Sequence, residues 1–186
     1  MSFTETEFPG LKIFEPKVFE DERGYFFESY NERSFSAEGI NCQWVQDNQS
    51  SSVYGVIRGL HYQLPPYDQN KLVRVLRGKI LDVVVDIRKD SPCFGKVFSL
   101  ELSARNKKQL FIPTGFAHGF SVLSKKAVVL YKCDGFYNKE SEGGILYNDP
   151  ALNIDWQVPV DEAIISAKDA ELPLFSDCKN TFVFNK

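Results

Sequence analysis

Histidine is scarce in this chain of 186 residues: it has two, His61 and His118, far apart and with no third to join them. Metal centres in closed β-barrels commonly draw on several histidines and a carboxylate, often with an H-x-H element on one strand. No such cluster exists here, so no metal is expected. Cysteine is sparse as well. Cys42, Cys93, Cys133 and Cys178 are scattered without a C-x-x-C pair, which argues against a zinc site or a dense disulfide framework and suits a reduced, cytoplasmic protein. No apolar stretch approaches the length needed to span a bilayer. The opening "MSFTETEFPG" lacks the basic region and apolar run of a secretory signal. Positive charge is in deficit, 22 Lys and Arg against 25 Asp and Glu, so neither nucleic acid nor an anionic membrane is an expected partner. An anionic ligand has to be held by a local group of Arg and Lys.

What the chain does have is aromatic residues, 16 Phe and 8 Tyr against a single Met, a composition suited to pleated, half-buried surfaces. Short strand-like runs are punctuated by Gly, Pro, Ser and Asn. "GLKIFEPKVFEDERGYFFESY" reads as a hairpin turned by "EDERG". "ILDVVVDI" suits a strand covered on both faces, entered through a tight turn at Arg77 and Gly78. "NERSFSAEGI" reads as a short helix capped by Asn31 and ended by Gly39. "ISAKDAELPLF" carries the S-x-x-D signature of a capping box, with Ser166 as cap and Asp169 reaching back. With no repeat, linker or low-complexity tract, the pattern predicts one all-β domain, residues 1–186, a β-sandwich or jelly roll with a few short helices.

The stretch "GLHYQLPPYDQNKLVRV" holds His61 beside a proline-braced loop, with Arg58 just before it and Lys71 and Arg74 after it. Three readings compete for this histidine: metal ligand, hydrogen-bonded core residue, or proton-transfer base. Strict alternation puts His61 and Gln63 on one face and Arg58 on the other, unless Gly59 allows a bulge. A base needs a partner carboxylate to fix its tautomer. Asp169 is one candidate, with helix capping as its other reading. Lys71 and Arg74 also read as solvated residues of an edge strand. Tyr131 in "AVVLYKC" alternates with Val129 and reads either as an inner-face core residue or as a proton donor.

At "RGLHYQ", "KLVRVLRGKILDVVVDIRKDSPCFGK", "ELSARNKKQLFIPTGFAHGFSVLS", "YNDPALNIDW" and "ISAKD" the chain resembles the dTDP-4-dehydrorhamnose 3,5-epimerases, metal-independent members of the cupin superfamily. The likeness runs in order from Phe14 to Phe175 and implies a cupin-type jelly roll. It implies His61 as base, Asp169 as its orienting carboxylate, Tyr131 as proton donor and Lys71 beside the substrate carbonyl. It also implies contacts to a dTDP-sugar from Arg23, Glu28, Gln46, Asn48, Arg58, His118, Tyr137, Glu142 and Lys168. No cofactor is implied. The resemblance further implies a homodimer with exchanged N-terminal strands, so that Arg23 and Glu28 serve the neighbour's pocket. The chain departs from the usual pattern at "GFYNKES" and in a slightly longer "QLPPYDQN" loop, both beside the sugar site. The expected reaction is epimerisation at C3 and C5 of dTDP-4-dehydro-6-deoxy-D-glucose on the route to L-rhamnose and surface polysaccharide. Alternatives are a C3-only or C5-only epimerase, a keto-isomerase, and a jelly-roll module that binds nucleotide sugar without chemistry.

Overall fold

A computed structural model describes residues 2–184. Its strands, in chain order, are β1 (Ser2–Glu5), β2 (Lys12–Glu15), β3 (Phe19–Asp21), β4 (Gly24–Phe26), β5 (Gln46–Val53), β6 (Ile57–Gln63) and β7 (Lys71–Arg77). There follow β8 (Lys79–Asp86), β9 (Val97–Ser103), β10 (Gln109–Ile112), β11 (Phe116–Val122), β12 (Lys126–Cys133) and β13 (Glu142–Gly144). Two short helices, α1 (Glu32–Ala37) and α2 (Ala167–Ala170), lie outside the sheets. The strands form a six-stranded sheet in the order β1-β2-β10-β7-β12-β5 and a five-stranded sheet in the order β13-β6-β11-β8-β9, with β3 and β4 as a separate hairpin.

The pleat of β8 shows how these layers stack. Ile80 and Val84 enter a core shared with Val73 and Val75 of β7, Leu110 of β10 and Val129 of β12, which lies between the sheets. Leu81, Val83 and Val85 face the other way, into a second core with Tyr62, Ile145, Trp156 and Phe182. Both faces of β8 are therefore covered, as the "ILDVVVDI" run predicts, and each buried Val or Leu contributes about 1.5–3 kcal/mol relative to exposure. Gly78, between β7 and β8, has φ +77°, and a β-carbon there would stand 2.1 Å from the Lys126 carbonyl oxygen. The turn predicted at Arg77 and Gly78 thus has room only for glycine.

The side chain of Asn31 accepts the backbone N–H groups of Arg33 and Ser34, so α1 starts where expected. Its buried Phe35 joins Phe14, Ile40, Leu72 and Phe111 in a third cluster on the outer face of the six-stranded sheet. The hairpin read over "GLKIFEPKVFEDERGYFFESY" is confined to its second half. β3 pairs with β4, and the Asp21 carboxylate accepts the Arg23 N–H at the turn, whereas β2 pairs with β1 and β10.

Candidate functional site

Between the sheets a cavity of about 750 Å³ opens where inward-facing polar side chains replace apolar ones. One wall comes from β5, β7 and β12. Along β5 every second residue, Gln46, Asn48, Ser50 and Ser52, is more enclosed than its outward neighbours, and the first three line the cavity. On β12, Val129 is buried in the core and Tyr131 carries the same face into the cavity. Burial pushes the Tyr131 hydroxyl above the ordinary tyrosine value, and Cys133 adds to this while Arg58 opposes it.

Lys71 lines the same wall, at the start of β7. The edge-strand reading fails for it, because β7 lies between β10 and β12 inside the six-stranded sheet. Burial draws the Lys71 ammonium below the ordinary lysine value, opposed by Cys133, Asp82 and Glu142. Arg74, an odd number of residues along the same strand, takes the other face and stacks over the Phe27 ring at 5.4 Å. It belongs to the outside of the sheet.

The opposite wall comes from β6 and β11. Here the register shifts: His118 pairs with His61, but Phe120 pairs with Arg58, so β6 carries one residue more than its partner. The bulge at Gly59, whose φ is +117°, turns Arg58 back onto the face that His61 occupies, and both line the cavity. The Nε of Arg58 donates to Ser52 Oγ at 3.1 Å, and among the described residues no hydrogen-bond partner takes its terminal nitrogens, which can meet an anion. His61, about one-third exposed, bonds through Nε2 to Asp169 Oδ1 at 2.8 Å.

Asp169 resolves its two readings unequally. Ser166 Oγ does cap α2 by accepting the Asp169 N–H at 3.0 Å. The Asp169 carboxylate does not reach back as in a full capping box. Its Oδ2 accepts the Gly59 N–H at 3.2 Å and its Oδ1 holds His61. Burial pushes this carboxyl up, yet the bonds and charge of His61, with the Gly59 and Ser166 contacts, hold it below the usual aspartate value. A neutral His61 donates Nε2–H to this carboxylate and keeps the Nδ1 lone pair for proton transfer.

His118 is buried beside His61 and bonds through Nε2 to both oxygens of Asp82, at 3.1 and 3.0 Å. Asp82, the partner of His118, is the candidate that sequence reasoning missed. Its signal was available: of the two aspartates inside the apolar run of β8, Asp86 has Arg88 two residues on, whereas Asp82 has to find a partner from another strand once both faces are covered.

At the rim, Glu142 bonds Lys168 Nζ at 2.6 Å and accepts the Tyr137 hydroxyl at 3.1 Å. Burial pushes Glu142 up, but the Lys168 bond and charge carry it below the ordinary glutamate value, and Lys168 is raised in turn. Gln46 Oε1 accepts the Tyr137 N–H at 3.2 Å, and its amide donates to Asn48. Gln63 ties the proline loop down, donating to the Tyr67 carbonyl and accepting the Asn138 N–H. Arg23 and Glu28 are not brought to this cavity. Arg23 sits exposed at the β3–β4 turn, paired with Asp21, and Glu28 is exposed and accepts from Asn31.

Among the described residues no three His, Cys, Asp or Glu side chains gather to hold a metal ion. Among them, too, no helix is long and apolar enough to cross a membrane. The cavity presents an imidazole–carboxylate pair and a tyrosine from opposite sheets, with a lysine and a guanidinium beside them. That set can move protons at carbon next to a carbonyl and hold a phosphate.

Comparison with known proteins gives the same direction. A sequence model of the dTDP-4-dehydrorhamnose 3,5-epimerases matches residues 5–177. The chain is 54% identical over 178 residues to the dTDP-4-dehydrorhamnose 3,5-epimerase of Shigella flexneri, covering 95% of this chain and 97% of that one. It superposes on the crystal structure of the Elizabethkingia anophelis enzyme of that name with a TM-score of 0.92 at 53% identity, over 95% of this chain and 97% of the other. A Legionella pneumophila 3,5-epimerase solved in complex with dTDP-4-keto-L-rhamnose superposes with a TM-score of 0.90 at 47% identity, over 95% and 93% of the two chains. The cupin-type jelly roll expected from the sequence is the fold of this group.

Proposed function

The chain belongs to the dTDP-4-dehydrorhamnose 3,5-epimerase family, and from that premise we propose that it inverts C3 and C5 of dTDP-4-dehydro-6-deoxy-D-glucose with His61 as the base. The observation that carries the proposal is the His61–Asp169 pair at 2.8 Å, facing Tyr131 across one cavity. The 4-keto group acidifies the hydrogens on both flanking carbons. His61 Nδ1 removes one of them, and the imidazolium that forms is held by the Asp169 carboxylate. The electron pair moves onto the carbonyl oxygen, where the Lys71 ammonium stabilises the enolate. Donors of this kind contribute roughly 10²–10³ in rate. Tyr131 returns a proton to the opposite side of the carbon, which inverts the centre. The sugar ring then turns to offer its second carbon to the same base.

Arg58 takes the diphosphate through its terminal guanidinium nitrogens, with Ser52 holding its Nε edge. Gln46, Asn48, His118, Tyr137, Glu142 and Lys168 surround the sugar and nucleotide. The proposal extends to a homodimer in which N-terminal strands cross over, so that Arg23 and Glu28 complete the partner's pocket. The exposed position of both residues, away from their own cavity, supports this. It extends also to the cytoplasm, a compartment that suits the four free thiols.

Proton NMR of the substrate in deuterated water tests the function. Loss of both the C3 and the C5 proton signals with this enzyme alone is expected. Loss at one carbon makes it a mono-epimerase, and tight binding with loss at neither makes it a binding module.

A further inference from the structure

We propose that Gly119 on β11 is a positioning residue for the epimerisation, acting through Gly59 on the Asp169 carboxylate; the proposal rests on the reading of His61 as base. The bulge of β6 is what gathers the site. Regular pleating would send Arg58 and His61 to opposite faces, and the extra residue at Gly59 brings both into the cavity. The same bulge aims the Gly59 N–H at Asp169. That carboxylate then has both oxygens engaged, Oδ2 by Gly59 N–H at 3.2 Å and Oδ1 by His61 at 2.8 Å, so its plane, and through it the imidazole plane, is fixed.

Gly119 sits directly against this bulge. A β-carbon on Gly119 would stand 2.6 Å from the Arg58 carbonyl oxygen and 3.2 Å from Gly59 Cα. A β-carbon on Gly59 would stand 2.6 Å from Gly119 Cα. The reasons for the two glycines differ. Gly59 has a φ of +117° and needs glycine for its own backbone, whereas the φ of Gly119 lies outside the left-handed region. Alanine at 119 is therefore unstrained in itself, and its methyl presses chiefly on the bulge. Bare backbone at this point of β11 is what lets β6 come close enough to carry the Gly59 N–H to Asp169.

The test is a double-mutant cycle between Gly119→Ala and Asp169→Asn, read as the deuterium-exchange rate of saturating substrate, with circular dichroism to follow the fold. If Gly119 acts through Asp169, Gly119→Ala slows exchange by about 100-fold in the otherwise unchanged enzyme, the scale of a small misplacement of a catalytic group. The same change then has little effect when Asp169 is already Asn. An equal loss in both backgrounds shows a general structural role and overturns the proposal. If Gly119→Ala does not fold, glycolic acid incorporated at position 59 replaces the N–H by an ester oxygen without adding an atom. An Asp169-dependent loss is again expected, and unchanged exchange overturns the proposal. His61→Ala run alongside separates the two claims: exchange retained in that variant defeats the base assignment itself, whatever the cycle shows.

Discussion

Lys71 and Asp169 are both ionisable groups taken largely out of water, and each is held by different company, so each makes its own prediction at the scale of a residue. Lys71 serves as an electrophile only while it is an ammonium. Burial lowers its value below the ordinary 10.5, so activity should fall on the alkaline side at a lower pH than a free lysine would impose. In Lys71→Arg the alkaline limb should move to higher pH, where Tyr131 loses its proton, because guanidinium stays charged, while the remaining rate is reduced throughout. A pH–rate profile of the two proteins checks both parts. Asp169 titrates below its ordinary value of 3.8 in the folded chain, although burial alone would raise it, because His61 and the Gly59 and Ser166 contacts favour its charged form. The stability this contributes is complete above the unfolded value and is lost as pH falls through the folded one. Acid unfolding followed between pH 5 and pH 2 should therefore show a smaller pH-dependent loss in Asp169→Asn than in the parent.

At the scale of the element, α2 is only four residues long, and a helix that short persists through its cap and its tertiary contacts. Ser166→Ala should destabilise the protein by about 0.5–2 kcal/mol in thermal unfolding. It should also lower kcat more than it raises KM, because α2 carries Asp169. Much at this scale was legible in the residues: Asn31 and Ser166 as caps, the turn at Gly78 and the doubly covered β8 all follow from local chemistry. Three features were not fully so. Arg58 was legible only as one of two alternatives, since strict alternation put it on the wrong face and the bulge at Gly59 that returns it stood as the exception. Arg74 looked like a neighbour of His61 until the placement of β7 inside the sheet fixed its opposite face. The S-x-x-D signature of α2 was half right, since tertiary partners at Gly59 and His61 compete for the Asp169 carboxylate and take it from the cap. The candidate site was legible mainly through the family resemblance. Asp82 escaped because its partner, His118, lies 36 residues away and meets it only through sheet pairing.

At the scale of the whole molecule, the β3–β4 hairpin extends Phe19, Tyr25 and Phe26 into solvent, with relative exposures of 54%, 60% and 68%, beside Arg23. Aromatic side chains exposed together are suited to cover by another surface, and strand exchange between two copies would cover them. Light scattering should give twice the chain mass, and Arg23→Ala should weaken dTDP-sugar binding although Arg23 is outside its own chain's cavity. Mixing the weakly binding Arg23→Ala and the inactive His61→Ala proteins under exchange conditions should raise activity at low substrate above that of either alone, since one pocket of each mixed dimer then holds an intact His61 and an intact Arg23. No rise would mean that each chain completes its own site.

The most direct measurement is the rate at which substrate C3 and C5 hydrogens exchange with deuterated water in the presence of His61→Ala, compared with the unaltered enzyme. Exchange should vanish at both carbons while dTDP still binds. Exchange that persists at either carbon at an undiminished rate would contradict His61 as the single base for both inversions.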